Sequence, residues 1–340
     1  MSGAPTQGAD ESRAARRRRA RAVWYIVGVA LLALAVWAVW RQQGLVGQAI
    51  SSIRAAPAGM VAGIALLPIA NWLLTSGVFW LLTRRLGAVG AVEMSALVGA
   101  AWLYNLLPMR PGLLGRVAYH KAVHGIAVRD SAKVLLQVIA VTAMVSCMLA
   151  VVCVAIAAIG ATGWLGEPLM VGTAVVLGLL PPCMMLALGS QPRRGEDPAA
   201  AQRLTAMRAL MLAGAMRYLE MMVWAARYWL VFEAIDHPVA LWQLGVIVVA
   251  SQVAGLLPVQ LGVREWIVGV MTAAGGLLGI GGAALPGMTQ GLLADLINRA
   301  AEIVCSVPIG LASTAWLAAR RARADRGKTA AGTGGERQVQ

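Results

Sequence analysis

The sequence predicts an all-α polytopic membrane protein with about six full transmembrane helices and two re-entrant helical hairpins arranged as an inverted repeat. Three observations carry this prediction. Of the 340 residues, 59% are hydrophobic and only 13% are charged, whereas soluble domains carry roughly 25% charged residues. Many apolar runs approach or exceed the roughly 18–20 residues that span a bilayer. Two proline–glycine breaks interrupt the apolar runs at matching positions.

The full spans belong to one predicted transmembrane domain over residues 23–318. Residues 1–22 form a basic cytoplasmic tail. No small-residue cleavage site follows the first apolar run, which favours a retained anchor over a signal peptide. Residues 319–340 form a second cytoplasmic tail. The predicted full spans are 23–40, 57–82, 132–159, 169–188, 209–235 and 289–317.

The basic residues set the orientation of these spans. The net charge is +14, and most Lys and Arg residues lie in segments between or beyond the spans. Basic loops mark the cytoplasmic side and attract anionic lipid, so this charge does not predict nucleic-acid binding. Both termini are then cytoplasmic. The basic segments are 13–21, 84–85, 110–133, 193–208 and 320–337.

The two breaks share one pattern. The first is Leu106-Leu107-Pro108-Met109-Arg110-Pro111-Gly112, and the second is Leu256-Leu257-Pro258-Val259-Gln260-Leu261-Gly262. The same offset separates Pro108 from Pro258 and Gly112 from Gly262. Paired interruptions in the two halves of a membrane protein point to a transporter's binding site. We therefore predict that these four residues form the tips of two helical hairpins.

The charges around the breaks predict opposite orientations for the hairpins. Basic segments flank the first break, and loops without Lys or Arg flank the second. The first hairpin then enters from the cytoplasm and the second from outside, which makes the half-repeats 57–159 and 209–317 inverted. Kinked full crossings are the alternative, because residues 239–257 would form a helix of roughly 28 Å. The hairpin arms are 93–107, 113–124, 239–257 and 263–278.

Charged residues near the tips have two interpretations. Charges at membrane depth cost about 2.5–3.5 kcal/mol, so they normally face protein or water. Arg264 and Glu265 either form a structural ion pair or contact a phosphate or head group beside a helix N-terminus near Val263. Arg110 and Arg116 are either ordinary cytoplasmic-side cations or lipid-phosphate contacts, because the planar guanidinium binds phosphate through two parallel hydrogen bonds.

Two polar stripes run along the predicted spans beside the second hairpin. Within each stripe the spacing places the residues on one helix face. The stripes line either a hydrated cavity, with arginines along a lipid path, or an interhelical set of salt bridges. The first stripe is Arg217, Glu220 and Arg227, and the second is Asp295, Asn298, Arg299 and Glu302.

The sequence predicts no catalytic residue, no metal site and no cofactor. His120 and His124 have the i, i+4 spacing of metal ligands, but no third ligand completes a known zinc pattern. The 15 acidic residues form no DxD or DDxxD cluster of the kind that a lipid-linked transferase uses. No P-loop or Rossmann glycine pattern occurs.

The residues around both breaks resemble the signatures of one known family. Residues 257–265 resemble a PxPGGLGxxE-type motif, with Gln260 and Leu261 in place of its glycine-rich tip. Residues 105–112 with Arg116 resemble an upstream N-x-x-x-P-x-R-x-G…R element, with Leu113 and Leu114 where an acidic residue often follows. The family is the lysylphosphatidylglycerol synthase transmembrane-region family, which includes the flippase half of multiple-peptide-resistance-factor proteins. The resemblance covers about residues 20–320.

This resemblance implies a non-enzymatic, multi-pass lipid flippase of the bacterial inner membrane whose partners are phospholipid head groups. Arg110, Arg116 and Arg264 would contact phosphate, and Glu265 would pair with Arg264 or with a head-group amine. Transport of hopanoids or lipid-linked glycans, a membrane-embedded lipid-modifying transferase and an assembly scaffold are the alternatives. We expect no aminoacyl-transferase domain, because only about 20 residues follow the last span. A homo-oligomer is left open.

Overall fold

The computed structural model describes residues 43–106, 111–158, 198–255, 263–277 and 287–335, together with Ile26, Trp37 and Thr173. Over these residues the chain is helical, with nine helices and no strand. The helices are α1 (Gln43–Ala55), α2 (Ala58–Thr83), α3 (Ala91–Tyr104), α4 (Pro111–His124), α5 (Val128–Ala158), α6 (Pro198–Ala234), α7 (Leu241–Ala254), α8 (Val263–Leu277) and α9 (Met288–Gly335).

Four helices are long and apolar enough to cross a membrane, so the chain is a multi-pass helical membrane protein. The crossing stretches are Ala58–Thr83, Val128–Ile156, Leu204–Ala234 and Met288–Ala322. They correspond to four of the six predicted spans. The other two, 23–40 and 169–188, lie outside the described residues apart from single positions.

Two of the long helices extend beyond the apolar runs that predicted them. The basic segment 193–208, predicted to connect two spans, is helical from Pro198 onward. Proline suits the first position of a helix, and the alanines that follow favour helix. The predicted C-terminal tail is likewise helical as far as Gly335. Hydropathy identifies the part of a helix that lies in lipid, and these ends are polar or basic.

The predicted hairpin arms form four short helices. α3, α4 and α7 have 14 residues each and α8 has 15. At 1.5 Å per residue each helix is roughly 21–22 Å long, which is less than the roughly 30 Å of a bilayer core. As far as the structure describes them, these helices are shorter than a full crossing. The tip residues Pro108, Arg110, Pro258 and Gly262 lie outside the described residues.

The chain forms two compact units. Unit 1 contains Met1–Ile64, Ser146–Ala174 and Trp224–Arg299, and unit 2 contains Ala65–Val145, Val175–Val223 and Ala300–Gln340. Each crossing helix therefore contributes residues to both units. The second predicted hairpin belongs to unit 1 and the first to unit 2. The half-repeats 57–159 and 209–317 stay a prediction.

Unit 2 has two groups of core residues. The larger joins α2, α3, α5 and α6 through buried residues such as Val78, Leu82, Met94 and Val138. The smaller joins α3, α4 and α9 and contains Ala96, Leu97, Ala100, Tyr119 and Leu317. α4 approaches α3 closely, since a Cβ atom on Gly112 would overlap the Ala101 backbone. This close packing positions the polar face of α4.

Unit 1 is built from closely approaching helices. In α8 and α9, Leu292 packs against Trp266 and Met288, and a Cβ atom on Gly291 would lie 2.5 Å from the hydroxyl of Thr272. Small residues at such contacts let membrane helices pack backbone to backbone. The approach of α8 to α9 places the first turn of α8 beside the polar stripe of α9.

Candidate functional site

A buried ionic cluster lies in unit 1 where α6, α7, α8 and α9 meet. Arg264 in the first turn of α8 donates from Nε and Nη2 to Oδ1 of Asp295 in α9, at 3.1 and 2.9 Å. The Tyr228 hydroxyl of α6 donates to the same oxygen and lies 3.2 Å from Oγ of Ser251 in α7. All four side chains are buried. Their mutual bonds replace the water that these groups lose at membrane depth.

Two arginines of this cluster share the ring of Trp224. The guanidinium carbon of Arg227 is 4.2 Å from the ring centroid, and that of Arg264 is 4.7 Å away. Arg227 is fully buried, and its Nη2 donates to the backbone carbonyl of Asn298 at 3.0 Å. A cation over an aromatic face gains about 2 kcal/mol or more when it is desolvated. The ring therefore helps to hold two like charges close together.

Charged side chains of both signs lie close together in this part of unit 1. They are Arg227, Arg264 and Arg299 with Glu265 and Asp295, and the buried acid Glu302 follows one turn after Arg299 on α9. Within the described residues, Glu265 Oε2, Asp295 Oδ2 and the side-chain amide of Asn298 have no hydrogen-bond partner. A buried polar atom left in that state costs about 1–3 kcal/mol. The cluster therefore has free hydrogen-bonding capacity for an occupant.

The structure gives Arg264 an ion-pair partner that the sequence analysis did not name. Glu265 was offered as a partner of Arg264 or as a contact for a head-group amine, and the structure shows Asp295 within ion-pair distance of Arg264. Neighbouring residues on a helix point about 100° apart, because one turn holds 3.6 residues. Glu265 is also buried, at 1% exposure, and interacts electrostatically with Asp295, Arg264 and Arg299.

A second polar network lies in unit 2 around Glu93. This carboxylate, in the first turn of α3, is fully buried. Its Oε1 accepts a hydrogen bond from the Tyr119 hydroxyl at 2.8 Å and lies 3.0 Å from Nε2 of His124. Arg320 of α9 approaches Oε2 at 3.1 Å. One buried acid thus joins α3, α4 and α9.

Arg116 lies on α4 close to this network. It is 8% exposed, and its guanidinium carbon lies 3.5 Å from the centroid of the Phe79 ring. Among the described residues no carboxylate lies within ion-pair distance of it. One turn further along, His120 is also buried and its Nδ1 lacks a partner in the described part of the chain. In α4, which is not one of the four crossing helices, burial and then the charge of Arg116 lower the pKa of His120 to about 4.

A groove of about 410 Å³ opens beside Arg116 between α3, α4 and α9. Its walls are mostly apolar or small, and they include Leu97, Ala100 and Leu317. Arg116 and Arg321 are its two charged lining residues. Pockets of roughly 300–1,000 Å³ commonly bind small molecules. The groove combines an apolar wall with a cationic end.

The other predicted site residues are divided between the units. Arg217 pairs with Glu220 at 2.5 Å, and the Thr75 hydroxyl donates to the same carboxylate at 2.8 Å, all within unit 2. This geometry favours the salt-bridge interpretation for that end of the first stripe. Arg227, from the same stripe, belongs to the unit 1 cluster. Arg299 is half-buried in unit 1.

The sequence analysis missed several members of these networks. Glu93 carried a usable signal, because it is the one charged side chain in α3, and such residues in membrane helices mark functional positions. Trp224, Tyr228 and Ser251 carried none, since aromatic and small residues are ordinary constituents of a helical core. Arg321 was counted only as part of the basic tail.

Comparisons with protein-family models, with curated proteins and with solved structures all find no match. The family resemblance of the two breaks therefore stays a prediction, and the function has to be argued from the geometry of the two networks and the groove.

Proposed function

We propose that this protein is a flippase-type transporter that moves a phospholipid or another polar-headed lipid, aminoacylated lipids included, between the leaflets of a bacterial inner membrane. The observation that supports the proposal is the buried cluster of charged side chains around Arg264, where two helices long and apolar enough to cross a membrane, α6 and α9, meet α7 and α8. Charges are costly in hydrocarbon, and they mark substrate pathways in membrane proteins. A lipid phosphate is the anion most available to such a cluster.

The proposal gives each charged residue a role. Arg264 in unit 1 and Arg116 in unit 2 bind lipid phosphate, because a guanidinium fork matches two phosphate oxygens. Arg110, beside the first tip, is assigned the same role. Glu265 meets the amine of an aminoacylated or zwitterionic head group. The remaining arginines, Arg217, Arg227 and Arg299, line the path, and Arg217 can do so only when its pair with Glu220 opens.

A leaflet-transfer assay tests this proposal. Purified protein is reconstituted into vesicles that contain a fluorescent phospholipid, and dithionite then bleaches the label in the outer leaflet. We expect dithionite to bleach a larger fraction of the label in vesicles with the wild type than in protein-free vesicles. Vesicles with Arg264→Ala should show no such increase. Arg129→Ala is the matched control, because Arg129 is an exposed arginine on α5.

The outcomes of this assay test the transporter function and the site assignment separately. Normal transfer by Arg264→Ala would remove the site assignment while the transporter proposal stands. If the wild type moves no labelled lipid in a panel of phospholipids and lipid-linked glycans, the transporter proposal is wrong. Hopanoids without phosphate offer no partner for the arginines, so their transport would contradict the roles given above.

A further inference from the structure

The groove in unit 2 has a head-group preference that differs from the one proposed for the unit 1 cluster, where Glu265 meets an amine. We infer that it binds an anionic phosphate-bearing lipid and disfavours a cationic, aminoacylated one. This inference rests on the proposed function and deepens it, since Arg116 is one of the proposed phosphate contacts. The juxtaposition that carries it is an arginine in an apolar groove that is buried and has no carboxylate partner among the described residues.

Arg116 is the first step in the argument. A buried charge is expected to be paired or to coordinate a ligand, because desolvation without compensation is costly. The contact that the structure shows for Arg116 is the face of Phe79, which leaves the guanidinium N–H groups available at the ring edge. Phosphate oxygens are the acceptors that these N–H groups match best.

The charges that line the groove decide the net charge of the ligand. Arg116 and Arg321 are both cations, and no acidic side chain is among the lining residues. The nearest acid of this network, Glu93, already accepts a hydrogen bond from Tyr119 and meets His124 and Arg320. A lysyl or other amino ester on the head group would therefore meet positive charge without a free carboxylate. Like charges in such a site disfavour binding.

The apolar wall identifies the ligand as a lipid rather than a free anion. Leu97, Ala100 and Leu317 present hydrocarbon along the groove, and Gly115 leaves room beside them. The volume of about 410 Å³ is near the lower end of the range for small-molecule pockets. It suits a phosphate head group and the first part of one acyl chain. Burial of apolar area adds affinity that inorganic phosphate cannot gain.

Equilibrium binding to the purified full-length chain tests the inference. The ligands are dihexanoyl phosphatidylglycerol, its lysyl ester, dihexanoyl phosphatidylcholine and inorganic phosphate, measured by isothermal titration calorimetry. We expect phosphatidylglycerol to bind about tenfold or more tightly than any of the other three, and Arg116→Gln to remove most of that preference. Arg129→Gln changes the same charge at an exposed site and should have no effect.

A second variant covers the case in which Arg116→Gln does not fold. Ala318 lines the groove and is exposed, so Ala318→Phe fills the groove from outside without entering the core. It should weaken phosphatidylglycerol binding about tenfold while phosphate binding is unchanged. Equal binding of the lysyl ester and phosphatidylglycerol overturns the charge preference. Phosphate that binds as tightly as the lipid overturns the lipid assignment.

The transfer assay distinguishes the two proposals. If the wild type transfers lipid while Arg116→Gln keeps the full preference for phosphatidylglycerol, the groove assignment is wrong and transport stands. If the groove behaves as expected while no lipid crosses the vesicle membrane, the protein binds lipid without transporting it.

Discussion

Asp295→Ala should destabilise unit 1 strongly, because Asp295 is the acceptor at the centre of the ionic cluster. Its carboxylate is fully buried and takes two hydrogen bonds from Arg264 and one from Tyr228. The substitution leaves a guanidinium and a hydroxyl buried without their acceptor. Removing one partner of a buried ion pair costs about 3–5 kcal/mol.

Thermal unfolding in detergent, followed by tryptophan fluorescence, measures this effect. At about 2 °C for each kcal/mol, the value for larger domains, the midpoint should fall by about 6–10 °C. The double variant Arg264→Met with Asp295→Leu should recover most of this loss, because an apolar pair of similar size replaces a buried ion pair at little cost. A shift below about 2 °C for Asp295→Ala would contradict the buried-pair geometry. A double variant no more stable than Asp295→Ala would do the same.

Three further predictions concern other parts of the molecule. Gly112→Ala should lower stability by about 1–3 kcal/mol, because its Cβ would overlap the Ala101 backbone. Gly115→Ala on the same helix has open space and should be neutral or slightly stabilising in the same unfolding measurement. Glu93→Gln should cost about 1.5–3 kcal/mol, since it removes the charged acceptor that joins three helices, and chemical denaturation can measure it. In a cysteine-free background, Arg129→Cys should be labelled by an impermeant thiol reagent only from the cytoplasmic side, because basic segments mark that side. Labelling from outside would reverse the predicted orientation.

Much of the fold could be predicted from the sequence because the requirement that lipid imposes on a helix can be read along the chain. A helix that crosses must be long and apolar, and four of the predicted spans meet this requirement in the structure. The short lengths of α3, α4, α7 and α8 also agree with the two breaks. The helical extensions before 209 and after 317 could not be found in this way, because polar ends of helices carry no hydropathy signal.

The partners in the site were harder to predict than its members. The analysis singled out Arg264 and Asp295, but it offered only Glu265, the neighbour in the chain, as a protein partner of Arg264. The observed pair depends on the close packing of α8 on α9, which helix periodicity does not contain. The contacts of Tyr228 and Trp224 could not be predicted for the same reason, because they depend on which helices pack against each other.

Among the described residues, Arg217 and Arg264 form one kind of arginine and Arg116 forms another, and the difference indicates where a ligand should act. Arg217 and Arg264 have carboxylate partners, Glu220 and Asp295, so much of their burial cost is offset within the protein. Arg116 is buried without such a partner among the described residues. The first kind stabilises the fold before any lipid binds, whereas the second gains most from an incoming phosphate. Substitution of Arg116 should therefore affect lipid affinity more than stability, and substitution of Asp295 should do the reverse.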